Sequence, residues 1–261
     1  MKLYRVLISS ITSSFRYPNM MSSHQLSIKA VPYTTIQGLI GSASGNTNIK
    51  GVKFSYVFRY ESSFFDVETI YKVQKEKNKA GGFGFKYDAK SKDKQYLAQD
   101  GLYPTTAPFN REILYQTYLT LYFVDKKIAD SFKSPTFQLL LGRSSDLAKV
   151  EEVREIEVNV IDNIQLNGTI LPFNQYKMAG EIYTMPTYFD YTNNIRDSIG
   201  VQPFVILSGE GKFLTSSSSK LQKFDLNNWR FVKFANKYKS NGDTFFDNEL
   251  NTPILLRDFG C

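Results

Sequence analysis

A chain of 261 residues, 42% hydrophobic and 22% charged, is long enough for one folded domain and too apolar to be disordered. Thirty-two basic against 25 acidic side chains leave a formal charge of +7, which points to a polyanionic partner. One cysteine, Cys261, excludes an internal disulfide, and with a single histidine, His24, there are too few ligands for a zinc site of those residues. No apolar run approaches the roughly 18 residues of a membrane span, and the N-terminus lacks a signal-peptide core, so a cytoplasmic protein is expected.

Aromatic residues make up 15% of the chain, with 17 Tyr and 21 Phe, a composition that favours strands and supplies rings for stacking. Residues 3–8 read as an opening strand, and Phe15-Arg16-Tyr17-Pro18 follows with a cation between two aromatics. After Val31-Pro32, Thr34 or Thr35 can cap a helix over 36–43, where Ile36, Leu39, Ile40 and Ala43 recur at three- and four-residue spacing. Gly38 and Gly41 each cost such a helix about 1 kcal/mol relative to Ala, which fits close packing against a strand or a bound backbone. Gly45-Asn46 is a stop signal. Residues 52–60 and 64–73 read as second and third strands, so the order opens strand, helix, strand, strand, as in a ferredoxin-like unit.

Between Tyr71 and Lys94 stand eight lysines against three acids, which is +5 of the chain's +7. Within this stretch, Lys79-Ala80-Gly81-Gly82-Phe83-Gly84-Phe85-Lys86 interleaves rings with cations around a glycine turn. Single-stranded nucleic acid takes this pairing, cations tracking phosphates and rings stacking on bases. A solvated lysine-rich loop is the alternative reading. Residues 111–124 then form the clearest strand, followed by a helix over 126–132, a stop at Pro135 and a strand over 136–141. Gly142-Arg143-Ser144-Ser145-Asp146 is a turn whose arginine, hydroxyls and amides suit phosphate, or else a plain turn with Asp146 capping residues 147–148.

Three of these segments carry a resemblance. Arg16-Tyr17-Pro18 with Val31-Pro32-Tyr33-Thr34-Thr35-Ile36-Gln37-Gly38-Leu39-Ile40-Gly41, then Arg111-Glu112-Ile113-Leu114, then Leu140-Leu141-Gly142-Arg143-Ser144-Ser145-Asp146-Leu147-Ala148, resemble the signature of the fifth family of CRISPR-associated proteins. Those are RAMP-type subunits capping one end of the type I interference complex, Cascade, and the chain looks most like the type I-B kind. The resemblance covers the first 150 residues or so. It implies an α+β fold with a ferredoxin-like core of the RRM or RAMP kind over 1–150. It also implies a β-hairpin thumb inserted at about 72–110. Residues 151–261, where the resemblance carries no signature, read from their own pattern as a mostly β extension of the same single domain. The resemblance further implies guide crRNA as ligand, held by its 5′ handle. The implied partners are the backbone subunits of the seventh family, the large subunit of the eighth, and target DNA through the complex.

The expected RNA-binding residues are Arg16, Arg111 and Arg143 for phosphates or base edges, Tyr17, Phe83 and Phe85 for stacking, and Lys79 and Lys86 for charge. The backbone amides of residues 34–36, with Thr34 and Thr35, and the turn at Ser144 complete the set. Beyond residue 151 the expectation is short strands at 153–161, 168–171, 181–184, 203–208, 229–234 and 254–257.

Catalysis is expected to be absent. One branch of the family cleaves precursor crRNA with a Tyr, a Lys and a His, but the lysine-rich insertion here has no histidine. No nucleophile elbow, P-loop or dinucleotide fingerprint is complete: Asp258-Phe259-Gly260, Gly209-Glu210-Gly211-Lys212 and Gly82-Phe83-Gly84 are fragments out of context. No cofactor or metal is expected. A metal-independent endoribonuclease and a structural β-rich protein without RNA affinity remain as alternatives.

Overall fold

The computed structural model describes residues 1–17, 23–75, 102–176, 178, 180–191, 196–208, 212–215, 218–225, 230–231, 237–239 and 242–259. The first elements are β1 (Lys2–Ser13), β2 (His24–Gln25), α1 (Tyr33–Ser44), β3 (Phe54–Lys75), β4 (Leu102–Phe123), α2 (Lys126–Ser131) and β5 (Ala148–Glu157). Their main sheet runs β5-β1-β4-β3, with every neighbouring pair antiparallel. Val6 and Ile8 of β1, Leu119 and Leu121 of β4 and Phe54, Tyr56 and Phe58 of β3 share one buried cluster with Ile36, Leu39, Ile40 and Ala43 of α1. The apolar stripe expected of that helix is therefore the face it buries.

The helix begins at Tyr33 with Pro32 as its cap, so Thr34 and Thr35 sit in its first turn and no side chain caps it. Gly45 ends it in the left-handed region (φ 71°), its amide donating to the Gly41 carbonyl at 2.8 Å. A Cβ at Gly38 would meet open space, so close packing explains only Gly41, where Asn46 O lies 3.4 Å from the Cβ position.

Two expected boundaries differ. Residues 52–60 and 64–73 belong to one strand, β3, because β4 pairs with it continuously from Phe123 back to Leu102 apart from one irregularity. Residues 136–141 are not a strand. Their amides and carbonyls are used elsewhere: Thr136 N donates to Ala43 O at the end of α1, Leu141 N to Asp146 O, and Ala148 N to Leu139 O. The strand that completes the sheet is β5, which starts at Ala148 opposite Ser10.

The described residues after β5 contain only short strands: β6 (Asn159–Val160), β7 (Asn163–Gln165), β8 (Thr169–Pro172), β9 (Glu181–Met185), β10 (Tyr188–Asp190), β11 (Asp197–Ile199) and β12 (Gln202–Leu207). They continue with β13 (Lys212–Thr215), β14 (Ser218–Asp225), β15 (Arg230–Phe231), β16 (Lys237–Lys239), β17 (Thr244–Asp247) and β18 (Thr252–Leu255). β17 and β18 lie on the sheet face opposite the helices, where Leu3, Tyr122 and Ile156 pack with Phe245 and Ile254. At the centre of that layer the buried Arg5 donates to Asp247 and Glu152, both at 2.9 Å, and Asp247 also accepts from the Tyr122 hydroxyl at 3.1 Å. Such a group is costly to leave half-made, so it fixes how the late strands sit on the sheet.

Gly168 (φ 63°) joins the two parts. Its carbonyl accepts from Phe58 N at 2.7 Å, and an added methyl would be driven into the Phe58 backbone. Gly168→Ala combines left-handed strain with that collision, and we expect it to lower unfolding stability by about 2 kcal/mol or more. Urea denaturation of the variant beside wild type measures it; equal midpoints would contradict the packing described.

Candidate nucleic-acid interface

β3 and β4 are longer than the sheet they belong to. Over residues 61–70 nearly all of β3 is exposed, and Phe64, Phe65, Val67 and Ile70 are each at least 40% exposed. β1 stops at Ser13, opposite Leu114, and β2 takes its place beside Asn110 and Arg111. From Glu68 outward to Lys75 only the two strands remain among the described residues, about 24 Å of ribbon at the usual strand rise. A local kink marks the departure: Gln116 has φ 49°, and its pairing with both neighbouring strands is interrupted there without a change of register. Lys79, Phe83, Phe85 and Lys86 lie outside the described residues.

The base of this hairpin is tied down by charge. Glu68 stands opposite Phe109 and reaches diagonally to Arg111, whose Nε donates to Oε2 at 2.9 Å while its guanidinium lies 5.0 Å from the Phe109 ring. The other oxygen of Glu68 accepts from Arg143 Nη1 at 2.6 Å. Arg143 also grips Asp146 through Nε (3.1 Å) and Nη2 (2.9 Å), and its backbone amide donates to the same carboxylate at 2.9 Å. These hydrogen bonds to the fully buried Asp146 chiefly raise the Arg143 pKa, against the opposing effect of burial. Asp146 in turn accepts from Thr12 of β1 at 2.7 Å.

Gly142 (φ 129°) makes the approach possible, since a Cβ there would stand 2.5 Å from Ser14 O. So Arg143 is first a positioning residue, with all three side-chain nitrogens engaged inside the protein. Ser144 and Ser145 point outward, and their amides have no partner among the described residues. Asp146 holds this turn as a ligand of Arg143. It does not cap a helical turn, because Ala148 already begins β5.

The other expected residues divide. Arg16 is exposed and bridges Ser27 across a short ribbon in which Ile28 N donates to Phe15 O at 2.7 Å. Tyr17 is 5% exposed; its ring meets Tyr183 edge-on and its hydroxyl donates to Glu181. A displayed stacking ring does not fit that position, and burial together with Glu181 pushes its pKa well up. Thr34 and Thr35 are half-buried and away from the Glu68 cluster; Thr34 lines a separate cavity of about 240 Å³. The amides of Thr35 and Ile36 already donate to Pro32 O, at 2.9 and 3.1 Å, so they do not offer the phosphate site expected there.

Sequence reasoning missed Glu68, the shared carboxylate, because a lone acid on an exposed strand carries no signal. It also missed the pair Lys29–Glu112 beside it. Glu112 is buried, accepts from Lys29 and takes the Ser27 amide at 3.1 Å. Burial pushes its carboxyl upward, but Lys29 and the Ser27 amide outweigh this and hold it below the ordinary value. His24 lies at the same hairpin base, its ring 6.5 Å from that of Phe65 and its Nε2 3.0 Å from the Asn110 amide. Among the described residues no group of His, Cys, Asp and Glu could hold a metal, and no helix is long and apolar enough to cross a membrane.

No family model matches the sequence, and no curated protein matches it. Several solved structures do resemble the fold. A chain titled as part of a CRISPR RNA-guided surveillance complex is 15% identical with a TM-score of 0.46, the match covering 79% of this chain and 89% of that one. A chain of the type III-B Cmr-beta complex bound to cognate target RNA and AMPPnP is 14% identical (TM-score 0.44; 78% and 84%). A CRISPR protein from Archaeoglobus fulgidus is 10% identical (TM-score 0.42; 99% and 100%). All three likenesses are distant.

Two outcomes follow from the charges. Glu68→Ala should loosen the hairpin base and lower stability by about 1–2 kcal/mol, with faster amide exchange at residues 66–70 and 109–113. A variant with unchanged exchange there would show that the shared carboxylate is not an anchor. The depressed Glu112 stabilises the fold at pH values above its unfolded pKa of about 4.3, and that contribution is lost as pH falls through the lower folded value. Urea midpoints of wild type and Glu112→Gln should therefore differ at pH 7 and converge toward pH 3.

Proposed function

We propose that this chain is a non-catalytic RNA-binding subunit of a type I CRISPR surveillance complex, of the fifth-family, type I-B-like kind, acting in the cytoplasm. Its core is read as ferredoxin-like, a reading supported by the β-α-β-β-α-β order and the antiparallel β5-β1-β4-β3 sheet. One observation carries the functional reading. Three segments that resemble the family signature, around Arg16, Arg111 and Arg143, are far apart in sequence. Yet Gly142 packs on Ser14, and Arg111 and Arg143 share Glu68, at the root of one projecting hairpin.

In this reading the RNA runs along the hairpin and across its base. Lysines of the insertion, Lys79 and Lys86 among them, neutralise phosphates, and Phe83 and Phe85 stack on bases. The outward amides and hydroxyls of Ser144 and Ser145 take a phosphate, with Arg16 and the outer nitrogens of Arg111 as further donors. The sheet face opposite the helices is not the binding platform of an RRM, since β17 and β18 cover part of it and bury Tyr122. The exposed rings and aliphatic groups of β3 are then surface for the guide crRNA and for neighbouring backbone and large subunits, through which target DNA is met. No cofactor or metal takes part.

One observation favours a second reading, metal-independent cleavage of precursor crRNA: His24, the sole imidazole, stands at the hairpin base. A single experiment separates them. Labelled CRISPR repeat RNA is titrated with the purified protein across a salt series in a chelator. The capping reading expects intact RNA, bound with a steep salt slope that falls by about two in the Lys79→Ala, Lys86→Ala double variant. Cleaved RNA, with cleavage lost in His24→Ala, would replace it with the enzymatic reading. Salt-independent or absent binding would favour a structural protein.

A further inference from the structure

β17 and β18 cover only part of the sheet face opposite the helices. Along β1 the residues on that face lose their cover step by step: Leu3 and Arg5 are buried, Leu7 and Ser9 half-buried, and Ile11 is 69% exposed. Ser9 pairs with Tyr118 of β4, and Tyr118 with Arg59 of β3. Arg59 donates to Thr252 of β18 at 3.2 Å, so this row is where the cover ends.

The surface beyond that row is apolar. Ile11 is three residues past Ile8, which packs on the helix side, so strand alternation puts it on the opposite face. Leu147, 59% exposed, stands one step before Ala148, which packs on the helix side and pairs with Ser10. Tyr115 is 37% exposed, and its ring meets that of Phe64 edge-on at 6.4 Å. Tyr118 lies between these groups: partial burial chiefly raises its pKa, and the nearby Glu61, Glu151 and Tyr115 raise it further. Exposed apolar side chains are ordinary when scattered, but a group gathered on one open sheet face marks a contact surface.

The charges beside it say what fits. On the β3 side stands Glu61, exposed and without an ion pair among the described residues. On the β5 side stands Lys149, its side chain 76% exposed, paired with Glu151 at 2.7 Å; Glu151 also accepts from Ser9 at 2.5 Å. The order β5-β1-β4-β3 puts these two sides at opposite edges of the sheet. A two-fold axis parallel to the strands, between β1 and β4, would set two copies face to face with β5 of each over β3 of the other. Ile11 of each would then meet Tyr115 and Tyr118 of the other, and each Glu61 would reach the other copy's Lys149. An RNA on the same surface would meet Glu61 and Glu151 as like charges. We propose that the open part of this sheet face binds a second copy of the chain, through Ile11, Tyr115, Tyr118 and Leu147 framed by two Glu61–Lys149 pairs.

The test is analytical ultracentrifugation of the full chain, without RNA, over a concentration series. Wild type should show a dimer in reversible equilibrium with monomer. Ile11→Asp, which puts a charge at the centre of the contact, should leave monomer alone. Glu61→Lys and Lys149→Glu should each weaken the dimer by about tenfold. Mixed in equal amounts, these two variants should regain it, because every pair across the axis is then opposite in sign. All three positions are exposed, so thermal midpoints should stay at the wild-type value, which separates a lost contact from a lost fold. Wild type that is monomeric at every concentration, a dimer that keeps its strength in Ile11→Asp, or a mixture that stays as weak as its components would each overturn the proposal. No RNA is present, so the result stands whether or not the RNA-binding reading holds.

Discussion

One carboxylate, that of Glu68, is shared by two guanidinium groups from segments 32 positions apart in sequence, Arg111 and Arg143. Hydrogen bonds between ionised partners are short and directional, so sharing the acid fixes both arginines and the strand that bears it. Asp146 carries the constraint onward to Thr12, and Gly142 lets the turn close on Ser14. The root of the hairpin, the end of β1 and the turn before β5 are thereby one unit. A two-stranded ribbon alone is marginal in water, and this anchoring is what allows β3 and β4 to project.

A second buried charge group governs the other side of the sheet. Arg5, Asp247 and Tyr122 lock β17 and β18 across the lower sheet face, and Gly168 brings the chain onto β3. This cover removes part of the open platform that a bare four-stranded sheet would present. On the proposed function, the late strands would turn nucleic acid toward the hairpin and away from the sheet centre.

Much of the core was legible because its signals are local and periodic. Ile36, Leu39, Ile40 and Ala43 bury together, Gly45 stops the helix, and the strand expected over 111–124 lies within β4, which ends at Phe123 and begins earlier, at Leu102. The break in β3 expected near residues 61–63 failed because Glu61-Ser62-Ser63 carries no apolar alternation, whereas pairing with β4 keeps the strand extended through it. The strand expected over 136–141 failed because Leu139 and Leu141 are buried by turns onto α1 and Asp146, and an apolar pair says nothing of its pairing partner. Arg111 and Arg143 were recognised as important, yet their joint partner Glu68 was not, since a contact across strands leaves no trace in spacing. Tyr17 was read as a displayed ring, but Tyr183 and Glu181, more than 160 positions away, enclose it.

On the proposed function, RNA lies along the hairpin and across its anchored base. Photo-crosslinking of a bound CRISPR repeat RNA, with the attached peptides mapped by mass spectrometry, tests it most directly. Crosslinks are expected in the insertion between β3 and β4 and in the turn at Ser144 and Ser145, with both sets diminished in Glu68→Ala. Crosslinks confined to the strands after β5, or a pattern indifferent to Glu68, would contradict it.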